Sequence, residues 1–159
     1  MEKHPPLLIA NKFIELASKD GGITHMKLQK LVYMFYGEWL CENEDACISE
    51  NPQVWQYGPV FESLYYEFKE FRANKITDQK KIDSSQSTEN SKISDLVKTV
   101  WGKYKENSAF ELSAMTHEPG SPWYQIAQEN NFQVPIGTVI PMGLIKIHFR
   151  KTRDEERCS

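Results

Sequence analysis

Ile23-Thr24-His25-Met26-Lys27-Leu28-Gln29-Lys30-Leu31-Val32-Tyr33 decides the fold. Gly21-Gly22 stops whatever precedes it, and Thr24 is placed to cap a new helix by accepting a hydrogen bond from a first-turn amide. At helical spacing Leu28, Leu31, Val32, Phe35 and Trp39 share one face. Tyr33, Tyr36 and Leu40 share the adjacent flank, and Lys27, Lys30, Gly37 and Glu38 are left to form a narrow polar side. A helix so apolar belongs in the middle of a domain. Gln29 projects along the tyrosine flank, so its amide is expected to be buried and to bond the backbone of another segment.

Working outward, the apolar spacing of Leu8, Ile9, Phe13, Ile14 and Leu16 predicts a first helix from Pro5 to about Lys19. The long second helix should run to about Asn43. Ala46-Cys47-Ile48 and Gln53-Val54-Trp55-Gln56 flank Ser49-Glu50-Asn51-Pro52 and read as a small hairpin or extended segment near 46–56. Gly58-Pro59 is expected to open a third helix with Val60, Phe61, Leu64, Phe68 and Phe71 inward and Tyr66 outward. Residues 74–92 are polar and read as a long surface loop. Ile93 to Glu106 is a fourth helix. Ser108 and Glu111 form a capping box for a fifth, and Ser121-Pro122 opens a sixth. Ile140-Pro141 begins a last helix to about Phe149, followed by a charged, frayed tail at 150–159. The chain is therefore mainly α, one compact helical domain over residues 1–149 with a charged tail.

The 159 residues are 40% hydrophobic, enough for one core, and the net charge of -3 argues against a nucleic-acid partner. No apolar run approaches the roughly 20 residues that cross a bilayer. Cys41, Cys47 and Cys158 show no CxxC spacing and suit a reduced, cytoplasmic protein. His117-Glu118-Pro119 lacks a second ligand at metal spacing, and no nucleophile elbow or phosphate loop is present. No metal, no cofactor and no catalytic residue are expected; His117 should fix the Thr116-to-Trp123 connection. A helix-turn-helix reading, with His25, Lys27 and Lys30 near DNA, conflicts with the aromatic flank of the second helix.

Three ordered segments carry a resemblance: Ile23-Thr24-x-x-Lys27-Leu28-Gln29-Lys30-Leu31-x-Tyr33, then Trp55-x-Tyr57-Gly58-Pro59-Val60, then Thr116-His117-Glu118 with Pro122-Trp123. Together they resemble the Panacea-domain family, also called SocA-like or phage-associated GepA-like proteins, over about residues 7–149. His25-Met26 departs from the proline that often follows the threonine. The resemblance implies an antitoxin of bacterial or prophage toxin–antitoxin operons. Its partner would be a toxin encoded by an adjacent gene, neutralised by direct contact or delivered to a cytosolic AAA+ protease. A DNA-binding regulator of the operon is the other reading. Lys27 and Lys30 for charge and Trp55 and Tyr57 for apolar anchoring are the candidate partner-binding residues. Thr24, Gln29, Gly58, Pro59, His117 and Trp123 are the structural motif residues. Equally, both motifs could be the fold's own joinery, with toxin contact elsewhere.

Overall fold

A computed structural model describes residues 2–82 and 90–158, and among these it is mainly α, with seven helices. Helix α1 (Pro6–Ser18) starts with proline at its first position and buries Leu8, Ile9, Phe13, Ile14 and Ala17. Gly21 and Gly22, both at positive φ, turn the chain into the short strand β1 (Ile23–Thr24). Helix α2 (His25–Glu42) then begins, with the Thr24 hydroxyl accepting from the Lys27 amide at 3.3 Å.

α2 is the axis of the molecule, packed by α1 and by three later helices, α4 (Ser91–Tyr104), α5 (Ala109–Thr116) and α7 (Met142–Cys158). The polar side expected of it is largely covered, which corrects that expectation. Lys30 is only 1% exposed. Gly37 lies under the Phe149 ring, which a Cβ there would meet at 2.3 Å. Glu38 pairs with Arg153 at 2.9 Å and Lys103 at 3.5 Å. A glycine and two long cation partners let neighbouring helices close over a face that looks polar in one dimension.

The hairpin also differs from expectation. Its strands are β2 (Gln53–Trp55) and β3 (Gly58–Val60), with Trp55 opposite Gly58 across the Gln56-Tyr57 turn. Ala46-Cys47-Ile48 is not a hairpin arm; it holds the N-terminal segment, where the His4 amide donates to the Cys47 carbonyl at 2.7 Å. Gly58-Pro59 is strand rather than helix start, and α3 begins only at Glu62 (Glu62–Phe68). Gly58 adopts φ +114, incompatible with a helix start, and leaves proline in an extended pair. Phe61, Leu64 and Phe68 are buried as expected and Tyr66 is exposed.

Part of the expected 74–92 loop is ordered by pairing. β4 (Lys75–Ile76) runs antiparallel to β1, and the Asn11 side chain exchanges two hydrogen bonds with the Lys80 backbone, at 2.8 and 2.9 Å. Residues 83–89 of that loop lie outside the described residues. The Ser108–Glu111 capping box opens α5, and Ser121 caps α6 (Pro122–Glu129), both as expected. α7 continues to Cys158, so the frayed tail is corrected to helix. Its Arg150 Nε donates to the Leu40 carbonyl at 2.9 Å and Arg153 bonds Glu42 at 3.1 Å.

Candidate functional site

The Trp55-to-Phe61 segment is held by side chains from three helices. Gln29 on α2 accepts from the Phe61 amide at 2.9 Å and donates to the Phe61 carbonyl at 3.2 Å. One turn earlier on the same helix, His25 Nε2 lies 3.2 Å from the Gln29 Nε2. One residue later, Lys30 Nζ donates to the Pro59 carbonyl at 3.1 Å. From α5, the Ser113 hydroxyl donates to the Tyr57 carbonyl at 2.8 Å, and His117 Nε2 sits 3.0 Å from the Gln56 carbonyl. From α6, Trp123 Nε1 donates to the Trp55 carbonyl at 2.8 Å while its ring packs on His117, 4.0 Å between centroids. Five carbonyls of one seven-residue segment thus face side chains rather than water. A tight turn has few backbone partners of its own, and these side chains supply them.

Gly58 makes this closeness feasible. A Cβ at that position would lie 2.8 Å from Thr116 Oγ1 and 2.9 Å from Lys30 Cε. The motif residues Thr24, Gln29, Gly58, Pro59, His117 and Trp123 are therefore all engaged in joining elements: Thr24 caps α2, and the others converge on the turn. His117 reaches further than the local link expected of it. It spans 61 residues to Gln56, and its other nitrogen lies 2.6 Å from the Ser113 carbonyl.

Beside the clamped turn lies an open cavity of about 390 Å³, lined by His25, Gln29, Lys30, Trp55, Tyr57 and Tyr65 among others, with Arg72 exposed at its edge. Trp55 and Tyr65 rings are 4.8 Å apart. Tyr57, at the turn, is 61% exposed. Of the four candidate partner-binding residues, Lys30, Trp55 and Tyr57 meet here. Lys27 does not: its Nζ donates to the Lys105 carbonyl at 2.6 Å and lies near the Trp101 ring, over another part of α2. Lys30 is brought to the site as a buried wall, not as a surface charge.

Burial lowers the Lys30 amine to about 7. Burial, and then the charge of Lys30, lower His25 to about 4. The neutral His25 ring can accept from the Gln29 amide, which completes that amide's hydrogen bonding. His25, Tyr65, Arg72 and Ser113 had no place in the sequence-based site. Only His25, one helical turn before Gln29, left a readable signal. Among the described residues no group of three His, Cys, Asp or Glu side chains converges to hold a metal. No described helix is long and apolar enough to cross a membrane.

The profile of the family described as "Antitoxin SocA-like, Panacea domain" matches residues 28–124, which hold Gln29, the clamped turn, His117 and Trp123. This chain belongs to that family. It is also 26% identical, over 151 residues, to Antitoxin SocA of Caulobacter vibrioides (strain NA1000 / CB15N), a similarity that covers 89% of this chain and 80% of that protein. No solved structure matches. In this Panacea-domain chain, therefore, the match spans the clamp while leaving α1 and α7 outside it.

Proposed function

We propose that this chain is the antitoxin of a toxin–antitoxin pair, acts without catalysis in the cytoplasm, and neutralises an adjacently encoded toxin by direct protein contact at the clamped turn. Family membership and the similarity to Antitoxin SocA support the antitoxin role. The observation that carries the site is Tyr57: a large aromatic, mostly exposed, on a turn whose Trp55, Gln56 and Tyr57 carbonyls are tied to helical side chains. Tyrosine side chains provide much contact area at little entropic cost, and a preorganised loop loses less freedom on binding. Trp55 and the cavity next to it extend the same surface.

The test is co-expression with the product of the neighbouring open reading frame. Growth arrest by that product alone, rescue by this chain, and a co-purifying complex are expected. Tyr57→Ala should weaken the complex while leaving the melting temperature unchanged. Rescue with no complex would overturn direct contact. Rescue that disappears when a AAA+ protease is deleted would replace inhibition by delivery to that protease.

A further inference from the structure

The cavity beside the clamped turn has an electrostatic property that the joinery does not use. Among the described residues its charged groups are all cationic, Lys30 in the wall and Arg72 at the edge, and none of those lining it is an aspartate or glutamate, in a chain whose net charge is -3. Lys30 is 1% exposed, and among the described residues its ammonium donates to one acceptor, the Pro59 carbonyl. An ammonium has three donors, and a buried charge without a counter-ion is costly. The walls next to it are aromatic, Trp55 and Tyr65, and the exposed Tyr57 continues the surface outward.

We propose that this cavity receives an acidic side chain of the partner protein, whose carboxylate becomes the counter-ion of Lys30 while the flanking apolar residue of the partner packs on Trp55 and Tyr65. The idea rests on the reading that the clamped turn meets a protein partner. A volume of about 390 Å³ falls in the range of sites that enclose a ligand group with a few placed polar contacts. Burial alone lowers the Lys30 amine toward neutrality, so an incoming carboxylate favours its protonated form and binding takes up a proton. Among the described residues the other titratable groups facing the cavity are His25, Tyr57, Tyr65 and Arg72. His25, lowered to about 4, is neutral across this range and does not reverse this sign. Affinity for the carboxylate should therefore be highest below about pH 7 and fall as the pH rises through the free amine's range.

The experiment uses the full chain, isotopically labelled, and two N-acetylated, C-amidated peptides, Gly-Leu-Glu-Gly and Gly-Leu-Gln-Gly, with acetate as a third probe. Resonances of the Trp55 indole and the Gln29 side-chain amide report on the cavity. The glutamate peptide is expected to bind about tenfold more tightly than the glutamine peptide near pH 6, with the gap closing near pH 9. Lys30→Met should abolish the difference; if that variant fails to fold, the peptide pair on the unaltered chain across pH still decides. Equal binding of the two peptides, no saturable shift at Trp55, or acetate binding as tightly as the glutamate peptide would each overturn the proposal. A toxin complex that forms despite such a result would leave the antitoxin reading standing and remove only the acidic anchor.

Discussion

Gln29 and Phe61, 32 residues apart, bond each other as if in a sheet: the Gln29 amide takes both the backbone N–H and the backbone C=O of Phe61. The pair sits at the point where β3 ends and α3 is about to begin: the Phe61 carbonyl also accepts from the Tyr65 amide of α3 at 3.1 Å, whereas among the described residues the Phe61 N–H has Gln29 as its acceptor. One side chain on the central helix thereby sets where the turn and α3 stand relative to α2.

Gln29→Ala should cost about 1–3 kcal/mol, because it strands the buried Phe61 N–H as well as removing a side chain, while the Phe61 carbonyl keeps its bond from Tyr65. Urea denaturation measures it. A midpoint equal to that of the unaltered chain would mean that water replaces the amide at no cost.

Two glycines at similar backbone angles should respond differently to alanine. Gly21 has φ +92 and open space around its missing Cβ; Gly58 has φ +114 and contacts of 2.8 and 2.9 Å. Gly21→Ala should lose about 1 kcal/mol from backbone strain alone. Gly58→Ala adds displacement of Thr116 and Lys30 and should lose clearly more. Equal losses in thermal melts would show that the clamp yields easily.

Stability should depend on pH through His25 and Lys30. Both are lowered in the folded chain, so the unfolded chain binds each proton at a higher pH. Folded stability consequently rises with pH from about 4 to 6.5 for His25, and again from about 7 toward 10.5 for Lys30. Lys30→Met should flatten the second rise, whatever it does to absolute stability. Denaturation midpoints taken between pH 7 and 9 that rise as steeply in Lys30→Met as in the parent would contradict this assignment.

Removing residues 150–159 should destabilise the chain, because Arg150 reaches the Leu40 carbonyl and Arg153 bridges Glu38 and Glu42. Exposed ion pairs are each worth little, but the half-buried Arg153–Glu38 pair and the carbonyl bond bring the total to about 1–3 kcal/mol. Truncation with an unchanged melting temperature would return this segment to the status of a dispensable tail.

By itself the sequence determined the elements whose signals are local. Helix caps at Thr24, Ser108 and Ser121, the apolar stripes of α1, α2 and α4, and the bonding of a lone glutamine among tyrosines to backbone all follow from cap residues, periodicity and the cost of burying an amide. Tertiary structure alone decided which polar residues are wet. Lys30 and Glu38 look like surface residues because a linear pattern does not record that β3 and α7 close over them. It also decided that Gly58-Pro59 is strand: the fragment suits a helix start, but pairing with β2 and the donors of α2, α5 and α6 hold it extended. The physical reason is common to both. Propensity and spacing act within a few residues, whereas burial and hydrogen-bond satisfaction are settled by distant partners, 29 positions away for Pro59 with Lys30 and 68 for Trp55 with Trp123.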